Sequence, residues 1–424
     1  MIDLEQLIKK NKNVSGYRIQ NIIQESFQLF FVHKNLETIR NNEVSLLKVT
    51  IYVAHDGFMG ESEFQVYKAY SEAEIEEKIS QAVDKAKLIN NEYFELPKKD
   101  INSFESDSNF NDYSKEEIAK MTEEACFLAD SFKDGSINAL EIFITKNKIN
   151  IKNSNGLDMT QVKYDAMVEA IPTWNGEKES VELYEQYHFN EFDARKLTEE
   201  IYDKMNAVKA RYEAQKPEEL GNINVLLRPK ELDSLINEIT YDLNFKVVYS
   251  HSNKNSIGTN LQENALGDLL NISRVGMVKG SVNSSHFDEN GTTYKDTLVV
   301  ENGIVKAYWG NMKFAQYLKV EPTGNLPIVK LGLGNKSIAE LKKEPYLECV
   351  SMSGIQVDLL SDYIGGEVRL GYYFDGAKII PVTGISISAR LSDVLKNMYL
   401  SKEEEVQDGY CGPKLALFKG FNIQ

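Results

Sequence analysis

The fold of the first half is decided by Phe27-Gln-Leu-Phe-Phe-Val32, Leu46-Leu-Lys-Val-Thr-Ile-Tyr-Val53 and Glu63-Phe-Gln-Val-Tyr67. These three stretches are dense in aromatic and β-branched residues, which is typical of β-strands. We place the turns between them at Asn41-Asn42 and at Gly57 to Gly60, because Asn and Gly favour turns. Short turns favour hairpins over crossovers, so the stretches predict an antiparallel meander.

A helix is predicted directly after the third strand, from Ser71 to Ile89. Ser71 and Glu74 have the spacing of a capping box at its start. The apolar residues recur at steps of three or four and therefore share one face of a helix. They are Ile75, Ile79, Ala82, Val83 and Ala86.

The same order of elements recurs further along the chain. Strands are predicted at Leu140 to Thr145 and at Lys148 to Lys152, followed by a turn at Asn153 to Gly156. Alternating segments continue to Tyr187, and a helix follows from Asp193 to Tyr212. A duplicated unit and a convergent recurrence of a common α+β motif both remain open.

Polar segments divide the chain. Residues 95–113, rich in Ser, Asn and Asp, are interpreted as a connector, and Ser114 to Phe132 as a helix with its own capping box. The polar break from Ala214 to Gly221 is interpreted as the domain boundary. We therefore expect two domains, residues 1–218 and 219–424.

The second half begins with a predicted strand, Ile223 to Leu227, and a helix from Lys230 to Leu243. Short strands separated by Gly-containing turns such as Asn302-Gly303 and Asp375-Gly376 follow, and these dipeptides are strong hairpin signals. The strands are predicted at Asp296 to Val300, Val305 to Trp309, Tyr372 to Phe374, Lys378 to Pro381 and Ile385 to Ala389. The fold class is α+β, with a β-rich, barrel-like second domain and one prominent helix.

Composition excludes several classes of protein. The 424 residues are 42% hydrophobic and 26% charged, values typical of a globular chain. With 48 Lys and Arg against 64 Asp and Glu, the net charge of −16 argues against nucleic-acid binding. No apolar run approaches the ~18–20 residues that span a bilayer, so no membrane partner is expected. Three widely spaced cysteines and no signal-peptide pattern predict a cytoplasmic protein.

Conventional catalytic motifs are absent from the sequence. It contains no GxSxG, Walker loop or HExxH, and its five histidines are scattered. Gly332-Leu-Gly334 lacks the third glycine of a dinucleotide-binding loop and a preceding βαβ context.

Six segments of the second half, taken in order, carry a family resemblance. They are Val225 to Leu232, Asp288 to Thr292, Thr297 to Gly303, Pro322 to Asn325, Gly371 to Val382 and Gly409 to Pro413. In this order they resemble the TldD/TldE family, whose TldE branch is also called PmbA or "modulator of DNA gyrase". The resemblance covers nearly the whole chain, because the first half also resembles that family's first domain.

The resemblance identifies four site positions. The catalytic TldD type carries HExxxH on the helix after the Val225 strand and a late cysteine, associated with a zinc protease site. Its two histidines fall here on Asn237 and Asp242, its glutamate on Glu238 and its cysteine on Cys411. A catalytic zinc needs about three protein ligands, and an amide oxygen is a poor one. We therefore expect a degenerate site without metal or cofactor in this chain.

The resemblance implies a non-catalytic, TldE-like subunit of a heteromeric metalloprotease acting on unfolded or leader peptides. A TldD-like catalytic paralogue would be the partner and would carry the zinc. The alternative is a self-sufficient metallohydrolase that uses Glu238, Asp242 and Cys411, and a further alternative is an interaction protein acting on gyrase. Whether the isolated chain forms a homodimer is left open by the sequence.

Overall fold

The computed structural model describes residues 2–217, 220–221 and 223–424 of the chain. The helices of the first half are α1 (Leu4–Lys10), α2 (Glu72–Ala86), α3 (Lys115–Ala129) and α4 (Ala194–Glu213). Its strands are β1 (Gly16–Val32), β2 (Asn35–His55), β3 (Phe58–Val66), β4 (Asn91–Glu92), β5 (Ile101–Glu105), β6 (Gly135–Asn153), β7 (Asp158–Trp174), β8 (Val181–Glu182) and β9 (Glu185–Phe189).

These strands form one sheet in the order β4-β3-β2-β1-β6-β7-β5, with β8 and β9 both pairing with β7. Among the described residues its pairings are antiparallel, except that β5 runs parallel to β7. A first unit, α1-β1-β2-β3-α2, and a second unit, α3-β6-β7-β8-β9-α4, which has one additional short strand, meet at the β1–β6 pair, where Ser26 faces Thr145. The predicted meanders packed with helices are confirmed, and the order of elements is repeated.

Both predicted capping boxes form. Ser71 Oγ accepts from the Glu74 backbone N–H at 3.3 Å, and the Glu74 carboxylate accepts from the Ser71 N–H at 2.8 Å. Ser114 and Glu117 make the same pair of bonds at the start of α3. Sequence and structure therefore agree on where α2 and α3 begin. Each N-cap stabilises its helix by about 1 kcal/mol.

The predicted turn at Asn41-Asn42 is wrong. The chain turns instead at His33, whose φ is 54°, and Asn41-Asn42 lies inside β2, opposite Phe27 and Ser26 of β1. Because β1 continues for its full length alongside β2, ladder hydrogen bonds on that side hold the two asparagines extended and override their turn preference.

Two other interpretations of the first half need correction. The predicted strands 140–145 and 148–152 are parts of the single strand β6, which pairs along its length with β1 and β7. The connector contains β5 and a short 3₁₀ helix, Asn109–Asp112. Strand β5 forms because Ile101 to Glu105 find hydrogen-bonding partners on the edge of β7, which no local pattern announces.

The helices of the second half are α5 (Pro229–Tyr241), α6 (Phe245–Tyr249), α7 (Met312–Leu318), α8 (Ile338–Leu341) and α9 (Leu391–Lys396). Its strands are β10 (Asn224–Leu227), β11 (Ile272–Val275), β12 (Thr297–Glu301), β13 (Ile304–Val305), β14 (Ile328–Leu331), β15 (Tyr346–Asp358), β16 (Tyr363–Phe374), β17 (Ile379–Val382), β18 (Ile385–Arg390), β19 (Met398–Leu400), β20 (Glu404–Gln407), β21 (Tyr410–Pro413), β22 (Ala416–Phe418) and β23 (Asn422–Ile423).

These strands form two sheets, and the curled half-barrel sheet packs against α5, the longest helix of this half. The larger sheet has the order β19-β22-β10-β15-β16-β18-β23, and the smaller β13-β12-β11-β14-β21-β20. The barrel-like, β-rich half with one prominent helix is confirmed. The strand predicted from Val305 to Trp309 is wrong beyond Val305, because Trp309 makes only a single bridge, to Asn244.

Apolar clusters join the two halves of the chain. Each cluster brings at least one side chain of the second half against several from the first half. Phe287 packs with Ile151, Leu157 and Met159; Tyr317 with Tyr52, Met59 and Phe94; and Leu370 with Leu183, Ala207 and Val208. The expected boundary between residues 218 and 219 lies outside the described residues, so it stays a prediction.

In the part of the chain that the structure describes, no helix combines the length and hydrophobicity needed to cross a membrane. The three cysteines, Cys126, Cys349 and Cys411, are free and buried.

Candidate functional site

Helix α5 is anchored at its start, where β10 leaves the half-barrel sheet. Arg228, the residue before the helix, donates from Nε and Nη2 to Glu348 Oε1 at 2.9 and 2.7 Å. Lys342 Nζ donates to Glu348 Oε2 at 2.7 Å. Burial alone would raise the pKa of Glu348, but the two cations outweigh it and lower that pKa. The apolar face of α5 then fills the core through Leu232, Leu235, Ile236 and Ile239.

Asn237, at the first histidine position of the family motif, is held by charged neighbours on both sides. Its Nδ2 donates to Asp233 Oδ1, one helical turn earlier, at 2.6 Å. Its Oδ1 accepts from Arg274 Nη1, which comes from β11, at 2.7 Å. The carboxamide therefore links a carboxylate to a guanidinium.

Arg274 is 6% exposed and is fixed from several directions. Its Nη2 donates to the Leu326 carbonyl at 2.6 Å, and its guanidinium carbon lies 4.2 Å from the centroid of the Trp309 ring. Burial lowers the pKa of Arg274 to about 10, so the side chain remains a cation at neutral pH. Burial also raises the pKa of Asp233 to about 6, although Arg274 acts in the opposite direction. A fixed organic cation thus contacts the side chain at the motif's first metal position.

The side chains of Glu238 and Asp242 make no hydrogen bond to Asn237 or Arg274 and lie in different surroundings. Glu238 is exposed on α5. Asp242 follows the last residue of α5, is 6% exposed and accepts from the Lys254 backbone N–H at 2.6 Å. Its other oxygen accepts from the Asn255 N–H at 2.9 Å and from Asn255 Nδ2 at 3.0 Å. The Asp242 carboxylate therefore anchors the loop after α6.

Cys411 lies in β21, opposite Val406 of β20, and is buried. Burial, together with the nearby charge of Glu404, raises the pKa of its thiol to about 11. Nucleophilic and zinc-binding cysteines act as thiolates, so this thiol is not activated at neutral pH.

The four motif positions therefore do not form one ligand set. In the part of the chain that the structure describes, no three His, Cys, Asp or Glu side chains are grouped as metal ligands. A zinc ion beside Asn237 would also lie next to the Arg274 guanidinium. The residues present at these positions do not fit a zinc site.

A cleft between the two halves of the chain opens beside α5. It has a volume of about 160 Å³ and lies between β9, the start of α5 and the β20–β21 hairpin. A second cleft of about 380 Å³ adjoins it and shares His188 and Asp408. The polar residues lining the first cleft include Glu185, Gln186, His188, Lys230, Asp233 and Asp408.

Charges of both signs line these clefts. His188 Nδ1 lies 3.6 Å from Asp165 Oδ1, and the nearby Asp165 carboxylate raises the pKa of His188. Burial raises the pKa of Asp408, which sits in the hairpin turn with a φ of 47°. Burial lowers the pKa of Lys163 in the second cleft. Such mixed polar walls suit peptide amides and polar side chains better than an apolar ligand.

Sequence reasoning located α5 but missed the charged groups around it. The four-residue spacing of Asp233 and Asn237 was a usable signal for a helical pair. Arg274 and the turn at Asp408 belong to the smaller sheet of the second half and His188 to the sheet of the first half, and no local spacing connects them to α5.

A known family and two known proteins resemble parts of this chain in sequence. Residues 220–424 match the family described as PmbA/TldA metallopeptidase C-terminal domain. An uncharacterized protein of Methanocaldococcus jannaschii is 26% identical over 210 residues, 46% of this chain and 50% of that protein. The metalloprotease TldD homolog of Buchnera aphidicola is 26% identical over 182 residues, 37% of this chain and 38% of that protein. The matched segments span half or less of these two relatives.

Solved structures resemble the whole chain. TldE from Thermococcus kodakarensis has a TM-score of 0.83 at 14% identity, over 99% of both chains. A Thermotoga maritima protein named as a candidate modulator of a DNA gyrase has a TM-score of 0.78 at 20% identity, over 99% of this chain and 98% of that one. Identities this low establish a shared fold. The fold and the matched C-terminal domain define a metallopeptidase-related protein. The second half of the chain, residues 220–424, belongs to the PmbA/TldD C-terminal domain family, and the whole chain shares the fold of TldE.

Proposed function

We propose that this chain is a non-catalytic, TldE-like subunit of a heteromeric TldD/TldE-type metalloprotease acting on unfolded or leader peptides. The zinc would be held by a TldD-type paralogue. The observation that carries the proposal is the hydrogen bond from Arg274 to Asn237, which places a permanent cation at the first metal position of the family motif.

Electrostatics supports this assignment. Two unit charges 4 Å apart in a protein of effective dielectric constant about 20 interact by about 4 kcal/mol, and a divalent ion doubles that repulsion from Arg274. The remaining candidate ligands do not compensate, because the Asp242 carboxylate accepts three hydrogen bonds and the Cys411 thiol is protonated at neutral pH.

The clefts between the two halves of the chain offer a place where part of a peptide could bind. Their volumes of about 160 and 380 Å³ leave room for a few side chains of a peptide and are too small for a folded protein. His188 and Asp408 line both clefts and offer hydrogen-bonding groups to a peptide backbone. The free, buried cysteines agree with the proposed cytoplasmic location.

The alternative of a self-sufficient hydrolase has less support. It would need Glu238, Asp242 and Cys411 to converge on one ion or substrate, whereas they are respectively exposed, bonded to a loop and buried in a strand. The gyrase-modulator alternative rests on the names of relatives.

Reconstitution tests the proposal. We expect cleavage of an unstructured leader-type peptide when this chain is co-expressed with a TldD-type paralogue carrying an intact HExxxH, and at least tenfold less with either chain alone. Exchanging a motif histidine of the paralogue for Ala should abolish cleavage, whereas Glu238→Gln in this chain should leave it within twofold. Cleavage by this chain alone would contradict the proposal.

The purified chain should contain well below one zinc ion per molecule, because a cation contacts Asn237 and the other motif positions have other partners. Elemental analysis after dialysis against a mild chelator measures this, with the paralogue as the positive control. Tight retention of about one zinc per chain would show that another ligand set exists.

A further inference from the structure

The second cleft, of about 380 Å³, lies between the two halves of the chain. Strands β6, β7 and β9 supply its lining on the side of the first half, and the β20–β21 turn and a loop supply it on the other side. Its volume falls within the range of about 300–1,000 Å³ that ligand pockets occupy. The charged residues that line it are Lys163, Asp165, His188 and Asp408. These charges decide which chemical group the cleft can hold.

Lys163 is a half-buried cation in this cleft. Within the described residues its ammonium forms no ion pair and donates no hydrogen bond. Burial lowers the pKa of Lys163, and the Asp165 carboxylate, which acts in the opposite direction, is not close enough to form an ion pair with it. A charged group that loses water without gaining a partner is unfavourable, so an anion supplied by a ligand would stabilise Lys163.

Other basic side chains at the boundary between the halves have partners. Arg18 of β1 donates to the Asn290 carboxamide, and Lys313 of α7 donates to Glu61 Oε1 at 2.7 Å. In both pairs the partner comes from the other half of the chain. Lys163 lies at the same boundary and faces the cleft instead.

Asp165 lines the cleft beside Lys163, and its side chain is 39% exposed. Its carboxylate accepts no hydrogen bond from the described residues, since His188 Nδ1, at 3.6 Å from Oδ1, is beyond ordinary hydrogen-bond distance. Side chains two residues apart in a strand leave the same face, about 6.6 Å apart along it. Lys163 and Asp165 therefore match a ligand that carries an anion next to an N–H donor.

We propose that Lys163 and Asp165 form a subsite for the C-terminal end of a peptide. Lys163 pairs with the terminal carboxylate, and Asp165 accepts from the N–H of the last residue. This inference rests on the proposed function, from which the peptide ligand is taken. The terminal carboxylate suits the pair better than an Asp or Glu side chain does, because its N–H donor is attached to the same Cα atom. Asn147, opposite Lys163 in the β6–β7 pair, offers a further amide to the ligand.

Binding of matched peptides to the purified full-length chain tests the subsite. The probes are acetyl-Gly-Ala-Gly-Ala-Ala with a free C-terminal carboxylate, the same peptide as its C-terminal carboxamide, and that carboxamide with Glu in the last position. Isothermal titration should show the free acid binding at least tenfold more tightly than the carboxamide, because hydrogen bonds to charged groups are the stronger ones. The Glu carboxamide should bind within twofold of the plain carboxamide.

Variants assign the preference to Lys163. Lys163→Met should reduce the difference between free acid and carboxamide to within twofold, and Lys163→Arg should retain most of it. Lys148→Met is the matched control, since Lys148 is exposed on β6 and its side chain leaves the face opposite to that of Asn147. That variant should keep the tenfold preference. Circular dichroism and thermal unfolding check that each variant is folded.

Equal binding of free acid and carboxamide by the parent, or a preference that survives in Lys163→Met, would overturn the subsite. A Glu carboxamide that binds as tightly as the free acid would overturn the choice of the terminal carboxylate. Failure of the subsite with cleavage by the reconstituted complex leaves the proposed function intact. A retained preference for the free acid without cleavage by that complex overturns the proposed function and leaves the subsite standing.

Discussion

Replacing Arg274 with Met is expected to lower the free energy of unfolding by about 2–4 kcal/mol, because it leaves two buried hydrogen-bond acceptors unsatisfied at about 1–3 kcal/mol each. Met retains much of the contact with Trp309 but leaves the Leu326 carbonyl and Asn237 Oδ1 without their donor. It also removes the cation that restrains the pKa of Asp233, so that pKa should rise above its present value of about 6. Urea unfolding at pH 7 measures the change.

Two controls accompany the Arg274 variant. Arg274→Lys keeps the charge without the guanidinium geometry and should lose less stability. Arg195→Met, on the exposed surface of α4, should stay within about 0.5 kcal/mol of the parent. A loss below about 1 kcal/mol for Arg274→Met would mean that the guanidinium does not organise this region.

The second large effect is a gain of stability. Glu231, in the first turn of α5, is 6% exposed, and burial raises the pKa of its carboxyl to about 7 from an ordinary 4.5. Between these two values the folded chain keeps a proton that the unfolded chain releases, so stability falls as pH rises through this window. Above pH 7 the full cost of the buried charge is present.

Glu231→Gln removes that charge and keeps the shape of the side chain. We expect the variant to be more stable than the parent by about 2 kcal/mol at pH 8, with the difference disappearing towards pH 5. Glu238→Gln, on the exposed face of the same helix, is the matched control and should change little at either pH. Equal stability of parent and Glu231→Gln at pH 8 would contradict the assigned burial cost.

The elements that the sequence predicted well are those whose signals are local. Ser71 and Ser114 mark the starts of α2 and α3 because a capping box needs only four consecutive residues. Apolar spacing likewise identified the buried face of α2, and the resemblance located α5.

The elements that were missed depend on distant partners. Asn41-Asn42 has a turn-like composition, but its hydrogen bonds to β1 hold it extended. Strand β5 exists only because the edge of β7 is available. At the candidate site, Arg274 reaches Asn237 across 37 residues of sequence, so the cation could not be inferred from the motif alone.

The β1–β6 pair at the centre of the first sheet has a consequence for synthesis on the ribosome. Strand β1 ends at Val32 and β6 begins only at Gly135, so the first unit emerges long before its central neighbour has been translated. During that interval the edge of β1 that later pairs with β6 is open in the nascent chain, and β1 carries Phe27 and Phe31. Exposed edges of this kind promote pairing with the wrong strand. The nascent chain therefore passes through a stage in which it is prone to mispairing, until β6 covers this edge. Chaperone protection would be most useful during that stage.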